Sequence, residues 1–128
     1  MTLSCFRTYD IRGKLGIELD EEIALKIGYA VAMKSKASRV IVGYDARETS
    51  LGLSNAVANG IRKAGSDVLN IGLAGTEEMY WAVTKFEADA GIEVTASHNP
   101  IEYNGMKIVN SGSPVSYTHL TLPTILLV

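Results

Sequence analysis

Short apolar runs alternate along this chain with longer segments whose apolar residues recur every three to four positions. The runs are bounded by polar residues and are too short for helices, which is typical of strands covered on both faces. Four such strands are predicted: Val40 to Tyr44, Asp67 to Gly72, Ala90 to Val94 and Met106 to Val109. A further apolar and aromatic segment, Phe6 to Gly16, is interpreted as a strand that runs into a loop.

Three helices are predicted among these strands. Asp20 precedes an acidic first turn and apolar residues at helical spacing, so the first helix should span about residues 20 to 35. Thr49 or Ser50 is expected to cap the second helix with its hydroxyl, and Gly65 to end it in a left-handed turn. Thr76, which two glutamates follow, is expected to cap the third helix.

The alternation of strands and helices indicates the fold class. Parallel neighbours need crossover connections of about this length, so the pattern favours a layered arrangement. We therefore predict an α/β fold, a three-layer α/β/α domain with a mostly parallel, mixed sheet. The loops after Tyr44, Gly72 and Val94 should converge at the carboxyl edge of that sheet, where such proteins place their binding residues.

Composition excludes several classes of function. The 128 residues are 47% apolar and 20% charged with a net charge of −2, which is an ordinary balance for one globular domain. There is no basic cluster, so nucleic acid is not an expected partner. No apolar run reaches about 18 residues, so no membrane partner is expected either. Cys5 has no second cysteine to pair with, which favours a cytoplasmic location.

The stretch Thr95-Ala96-Ser97-His98-Asn99-Pro100 follows directly on a predicted buried strand. Serine is a weak nucleophile unless a base activates it or it arrives phosphorylated, and a phosphate on it would need nearby cations. His98 is adjacent, Lys107 follows across a turn expected at Asn104-Gly105, and Arg12 can reach the loop from another strand end. A lysine in such a site could exchange a proton with a sugar hydroxyl.

Each of these residues also has a simpler interpretation. A Ser-His pair in a loop is usually a turn with a surface imidazole. Lys107 would then be an edge-strand charge and Arg12 an ion-pair partner, while Asp45 and Arg47 are interpreted as a pair that braces a loop. Three larger residues are interpreted as core packing: Tyr9, Met79 and Trp81.

Five short motifs occur in an order that a known enzyme family shares. They are Thr8-Tyr9-Asp10-Ile11-Arg12-Gly13, Val42-Gly43-Tyr44-Asp45-Ala46-Arg47, Gly72-Leu73 with Gly75-Thr76-Glu77-Glu78, Thr95 to Pro100, and Tyr103-Asn104-Gly105-Met106-Lys107. The serine motif with its downstream Asn-Gly-x-Lys is highly specific. On these motifs the chain resembles the first domain of the α-D-phosphohexomutase superfamily, and most closely its bacterial phosphomannomutase branch, over residues 1 to about 110.

The resemblance implies a mutase in which phosphorylated Ser97 donates its phosphoryl group to a hexose monophosphate. The resulting hexose 1,6-bisphosphate would reorient and return its other phosphate to Ser97, interconverting mannose 6-phosphate and mannose 1-phosphate. The resemblance also makes Ser97 a Mg²⁺ ligand and a hexose 1,6-bisphosphate the activator.

Further residue roles follow from the same resemblance. Lys107 is the implied acid/base catalyst, and His98 is an implied catalytic contact to phosphate or sugar. Tyr9, Arg12 and Asn99 are the implied substrate-binding residues.

Departures from the family pattern limit what the chain alone is expected to do. Residues 1–112 are interpreted as the phosphoserine domain, whereas the family's metal, sugar and phosphate loops on three further domains have no counterpart. The missing domains of the parent chain are therefore the expected partners, alongside a hexose phosphate, and the chain alone is expected to be inactive as a mutase. Residues 113–128 resemble nothing in the family, and the string SYTHLTLPT looks like translated sequencing adaptor; the alternative is a native apolar tail.

Two other functions stay open. One is a non-catalytic module that binds phosphosugars or another partner through the cationic loop. The other is a phosphoglucomutase or phosphoglucosamine mutase domain, because sugar choice in the resembling enzymes belongs to a loop that this chain lacks.

Overall fold

A computed structural model describes residues 10–96, 99–110 and 113–114 of the chain. The elements are β1 (Asp10–Lys14), α1 (Glu21–Lys34), β2 (Arg39–Tyr44), α2 (Ser50–Lys63), β3 (Asp67–Leu73), α3 (Thr76–Lys85), β4 (Ala90–Val94), β5 (Tyr103–Asn110) and β6 (Ser113–Pro114). Within the described residues, no helix is both long enough and apolar enough to span a membrane.

The strands form one mixed sheet in the order β1-β5-β4-β2-β3, with the two-residue β6 paired to β5. Strands β4, β2 and β3 are parallel, and each is reached through a helix. The pairs β4-β5 and β1-β5 are antiparallel. The α/β prediction is confirmed, and the antiparallel half of the sheet consists of the two strands that carry Lys107 and Arg12.

Two apolar cores separate the sheet from helices on its two faces. Ile92 and Ile108 pack with α1 and α2 in the larger core, whereas Ile41 and Val109 pack with Met79 of α3 in the smaller one. Because successive strand residues point to opposite faces, alternate positions of each strand supply the two cores. The predicted three-layer arrangement is therefore present, with α3 as the single helix on its face among the described elements.

Helices α1 and α2 approach each other so closely that their contact requires glycine. A Cβ added at Gly60 would lie 1.9 Å from the Leu25 carbonyl oxygen, and one added at Gly28 would lie 2.2 Å from the Val57 carbonyl oxygen. The two glycines thus let each backbone pack directly against the other helix.

Strand β5 is longer than the sequence pattern suggested. Asn104 and Gly105 were expected to form a turn before Lys107, but both lie inside β5, where Gly105 pairs with Arg12 of β1. A Cβ at Gly105 would lie 1.9 Å from the Ile11 carbonyl oxygen. The glycine therefore permits a close approach between two strands instead of a reversal of the chain.

The helix starts differ from expectation at two of three positions. Asp20 caps α1 as predicted, accepting a 2.8 Å hydrogen bond from the Ile23 amide. Thr49 is at the N-cap of α2 but makes no side-chain cap, because its hydroxyl and that of Ser50 bind other side chains. The N-cap of α3 is Gly75 and not Thr76, and the Gly75 amide donates to Glu78 Oε1 at 2.9 Å.

The end of α2 and the packing of α3 test two further predictions. Gly65 follows α2 with φ of +91°, which confirms the left-handed turn. Met79 is fully buried as predicted, but Trp81 is 61% exposed and makes an edge contact with Phe86, with ring centroids 5.9 Å apart. Residues two positions apart lie on different sides of a helix, so Trp81 cannot share the buried side of Met79.

Replacing Gly60 with alanine should destabilise the domain by about 1–3 kcal/mol or more, because a new methyl group would overlap the α1 backbone. Gly52→Ala in the same helix is the matched control, since its Cβ would meet only the flexible Glu21 carboxylate at 3.1 Å. Both changes gain about 1 kcal/mol of helix propensity. Urea denaturation of the two variants would contradict the packing account if they unfolded at the same midpoint.

Candidate functional site

Three loops meet at the carboxyl edge of the parallel strands. The Asp45 amide donates to the Val94 carbonyl at 3.0 Å, and the Ala74 amide donates to the Tyr44 carbonyl at 2.9 Å. These backbone bonds join the ends of β2, β3 and β4, so the predicted convergence of their loops is confirmed.

The loop that follows β4 is described on both sides of Ser97 and His98, which themselves lie outside the described residues, as does Tyr9. Before the pair, the Thr95 amide donates to the Gly105 carbonyl at 2.9 Å. After it, the Asn99 amide donates to the Ala96 carbonyl at 3.0 Å. We call residues 95–103 the serine loop, and both of its limbs are tied by backbone hydrogen bonds.

Arg12 joins the two sides of the serine loop. Its Nη1 donates to the Ala96 carbonyl oxygen at 3.0 Å and to Asn99 Oδ1 at 2.7 Å. Arg12 comes from β1, and its place opposite Gly105 puts it at the loop's edge of the sheet. The structure therefore brings together two of the residues predicted to bind substrate, and it shows them binding each other.

Arg47 holds the second half of the serine loop. Its guanidinium donates to the carbonyl oxygens of Pro100 at 2.7 Å and Tyr103 at 3.0 Å, and also to that of Asn99. Its own position is set by Asp45, which lies 3.7 Å from Nε and accepts from the Arg47 amide at 3.0 Å. The interpretation of Asp45 and Arg47 as bracing residues is confirmed.

A buried amide connects this brace to the sheet. Asn104 of β5 is fully buried, and its Nδ2 donates to Thr49 Oγ1 and Ser50 Oγ, both at 2.9 Å. Ser50 in turn donates to Asp45 Oδ1 at 2.5 Å. The network runs from β5 through the start of α2 to Asp45 and Arg47, and it ends on the carbonyl of Tyr103, the neighbour of Asn104.

Lys107 lies on β5 and is half-buried, and it has a register partner on each of the two neighbouring strands. It is opposite Glu93 of β4 and opposite Asp10 of β1. Residues directly opposite in antiparallel strands share a face, with Cβ atoms about 5 Å apart. Arg12 is two positions along the ladder from Lys107, so both cations belong to the face that α3 covers.

Glu93 is the one charged residue of β4 and is only 1% exposed. Burial, together with the nearby carboxylates of Asp45 and Glu78, raises the pKa of its carboxyl from an ordinary value of 4.5 to about 8, and burial is the largest of these causes. A carboxyl in such surroundings keeps its proton at neutral pH. Glu93 is therefore a neutral acid on the face of the sheet that also carries Lys107 and Arg12.

The described residues do not offer a complete site for Mg²⁺. No three His, Cys, Asp or Glu side chains within them are grouped to hold a metal ion. Mg²⁺ prefers an octahedron of oxygen ligands, and the implied ligand Ser97 lies outside the described residues. The donor set on this part of the chain does not fit a resident Mg²⁺, and we derive no chemical step through one.

Sequence reasoning missed Asn104 and Glu93. Asn104 was interpreted as a turn residue because Asn-Gly is a common turn pair, although its place beside an apolar run was equally compatible with a strand. Glu93 could have been identified from the sequence, because a carboxylate inside an otherwise apolar five-residue strand indicates a buried ionisable group.

Glu93 should make the stability of the domain fall as pH rises. Its folded-state pKa is above its unfolded value, so the folded chain holds this proton more tightly, and the stabilisation present below about pH 4.5 is lost as pH approaches 8. The slope should reach at most about 1.4 kcal/mol per pH unit between those limits. Urea titrations from pH 5 to 8 would measure it.

Glu93→Gln should flatten that pH dependence, because glutamine does not titrate. The exposed carboxylate of Glu102 provides the control, and Glu102→Gln should leave the slope unchanged. An unaltered slope in Glu93→Gln would show that other groups cause the dependence.

Comparisons with known proteins agree with this geometry. The family model described as phosphoglucomutase/phosphomannomutase, alpha/beta/alpha domain I, matches residues 4–121. A phosphomannomutase of Klebsiella pneumoniae is 54% identical over 115 residues, covering 89% of this chain and 73% of that protein. A phosphomannomutase of Salmonella typhimurium is also 54% identical over 115 residues, covering 89% of this chain but 25% of that protein.

A solved structure extends the comparison to the fold. A phosphoglucomutase/phosphomannomutase family protein from Burkholderia thailandensis superposes with a TM-score of 0.87 at 33% identity, covering 99% of this chain and 30% of that one. The chain thus spans only about a quarter to a third of the length of the Salmonella and Burkholderia proteins. It belongs to the phosphoglucomutase/phosphomannomutase family, whose alpha/beta/alpha domain I it carries.

Proposed function

We propose that this chain is the phosphoserine domain of a phosphohexomutase that interconverts mannose 6-phosphate and mannose 1-phosphate. The observation that carries the proposal is the double attachment of the serine loop, by Arg12 from β1 and Arg47 from the loop after β2. Phosphoryl transfer depends mainly on positioning and on electrostatic stabilisation, so a loop held on both sides suits it. Two relatives that carry the name phosphomannomutase support mannose as the sugar.

The proposed reaction begins with a phosphate on Ser97. A hydroxyl oxygen of the hexose monophosphate attacks the phosphorus, the bond from phosphorus to the Ser97 oxygen breaks, and a hexose 1,6-bisphosphate forms. Lys107 accepts the proton of the attacking hydroxyl and gives it to the Ser97 oxygen as that oxygen leaves, so the step moves one phosphoryl group and one proton. Transfer of the other phosphate back to Ser97 reverses these bond changes and releases the isomeric monophosphate.

The remaining predicted residues keep supporting roles in this proposal. His98 contacts phosphate or sugar, and Tyr9 lines the sugar site. Arg12 and Asn99, which bind each other, hold the loop as well as facing the substrate. A guanidinium shared between a backbone carbonyl and a side-chain amide is well suited to fix a loop's shape.

Completing the reaction requires more than these residues. Ser97 would contribute one oxygen to Mg²⁺, and further ligands would come from the missing domains of the parent chain. A hexose 1,6-bisphosphate would act as activator by phosphorylating Ser97. We therefore propose that the chain alone lacks useful mutase activity, and a cytoplasmic location stays a prediction from its single cysteine.

A non-catalytic phosphosugar-binding module is the second candidate. The same arginine-held loop favours it, because a rigid cationic loop can bind a phosphate without transferring it. Phosphorylation of Ser97 separates the two candidates.

Incubation with glucose 1,6-bisphosphate should phosphorylate the chain once, at Ser97. The expected change in intact mass is one phosphoryl group, absent in Ser97→Ala and slowed at least about tenfold in Lys107→Met, because a general acid or base contributes factors of this size or more. Intact-mass spectrometry with peptide mapping measures both the extent and the position.

Thr84→Ala is the control for nonspecific loss of phosphorylation, since Thr84 is an exposed hydroxyl in the last turn of α3 and outside the serine loop. Binding of mannose 1-phosphate without any phosphorylation would favour the module. Ordinary enzymatic turnover of mannose 1-phosphate by the chain alone would contradict the proposed inactivity.

A further inference from the structure

Helix α3 carries an exposed aromatic face on the side that does not pack on the sheet. Trp81 at its centre is 61% exposed, and Tyr80 and Phe86 beside it are 37% and 38% exposed. We propose that this face binds the same face of a second copy of the chain, as a two-fold symmetric, antiparallel pair of α3 helices centred on Trp81. This association does not depend on the mutase function proposed above, because it uses no residue of the serine loop.

Three exposed residues form a row along α3, and the row is acidic at one end and basic at the other. Glu77, Trp81 and Lys85 are four positions apart, and residues at this spacing are neighbours on one helix face. Eight residues of helix rise about 12 Å, so the two charged residues are separated within one copy by the tryptophan between them. Neither Glu77 nor Lys85 forms an ion pair within the described part of the chain.

A two-fold axis at Trp81 makes this row complementary to itself. Glu77 and Lys85 are four positions from Trp81 in opposite directions, so antiparallel packing places Glu77 of each copy opposite Lys85 of the other. The interface then has two equivalent ion pairs, one on each side of a contact between the two Trp81 rings. A contact between identical surfaces requires such self-complementarity. Parallel packing would instead oppose like charges, so the charges select the antiparallel form.

A groove beside Trp81 provides room for the indole ring of the second copy. It lies between α3 and the edge strand β3, and its volume is about 540 Å³. Large aromatic side chains that enter apolar grooves are common anchors of protein interfaces. Apart from Trp81 itself, four apolar residues and two glutamates line the groove: Ile71, Ala74, Ala82, Phe86, Glu77 and Glu78.

The expected association is weak and sensitive to salt. A single helix face with its flanking aromatic side chains buries less than about 1,200 Å² in total, which is typical of transient complexes. Trp81 is oriented before association by its edge-on contact with Phe86, which lowers the entropy lost on binding. The two ion pairs lie at the rim of the contact, where added salt screens them. The dimer should therefore form at micromolar or higher concentrations of the chain and at low salt.

The test is sedimentation velocity of the full chain over a range of concentrations, together with the fluorescence emission of its single tryptophan. The wild-type chain should show a monomer-dimer equilibrium, with Trp81 emission moving to shorter wavelength as the indole leaves water. Glu77→Lys and Lys85→Glu should each weaken the dimer at least about tenfold, because each change opposes like charges at two places in the interface.

A mixture of the two variants distinguishes this geometry from a general effect of charge. Glu77→Lys in one copy and Lys85→Glu in the other restore opposite charges at both pairs, so the mixture should form a heterodimer although neither variant pairs with itself. The double variant Glu77→Lys/Lys85→Glu should restore the homodimer for the same reason. Lys34→Glu is the matched control for Lys85→Glu, since Lys34 is an exposed lysine in the last turn of α1, and it should leave the equilibrium unchanged.

Several results would overturn the inference. A wild-type chain that stays monomeric at every concentration would do so, and this result is expected if the α3 face instead binds a missing domain of the parent chain. Self-association that both single variants leave intact would place the contact elsewhere on the molecule. A dimer that both variants weaken, and that neither the mixture nor the double variant recovers, would reject the pairing of Glu77 with Lys85.

Discussion

The attachment of the serine loop by Arg47 is the interaction on which the rest of this site depends. One guanidinium binds the carbonyl oxygens of Asn99, Pro100 and Tyr103, and the Pro100 carbonyl also accepts from the Tyr103 amide. A lysine could not replace it, because the fork of the guanidinium serves several acceptors in fixed directions. Asp45 orients the arginine, and the Asn104-Ser50 contacts orient Asp45. The shape of the loop is thus set by side chains from outside it.

The mixed sheet explains why Arg12 and Lys107 lie on two adjacent strands, β1 and β5, beside β4, which leads into this loop. An all-parallel sheet would have placed a helix between β4 and β5, whereas the short antiparallel return brings Lys107 back beside the strand that leads into the loop. Gly105 then lets β1 pack against β5 with Arg12 at the loop's edge. Both cations share the α3 face with a buried neutral carboxyl, a combination suited to proton exchange and anion binding.

The helices and strands were predictable because the spacing of their apolar residues indicates directly which positions are buried. Helix α1 with its Asp20 cap, strands β2 to β4, and the convergence of their loops followed from apolar spacing and turn residues. The polar contacts were less predictable, since they depend on which strands become neighbours. Thr49 and Ser50 looked like helix caps, but Asn104 lies 54 residues or more away and binds their hydroxyls. The roles of Ser97, His98 and Tyr9 were inferred from the resemblance of their motifs to a known family. All three residues lie outside the described residues.

The central claim is that Arg47 holds the serine loop in one shape, and amide hydrogen exchange tests it most directly. Arg47→Ala should speed exchange at the Asn99 and Tyr103 amides by about ten- to a hundred-fold, because hydrogen bonds to a charged group contribute about 1.5–3 kcal/mol. Arg39→Ala is the matched control, since Arg39 donates to the Phe86 carbonyl at the opposite edge of the sheet. Unchanged exchange at both amides in Arg47→Ala would contradict the account.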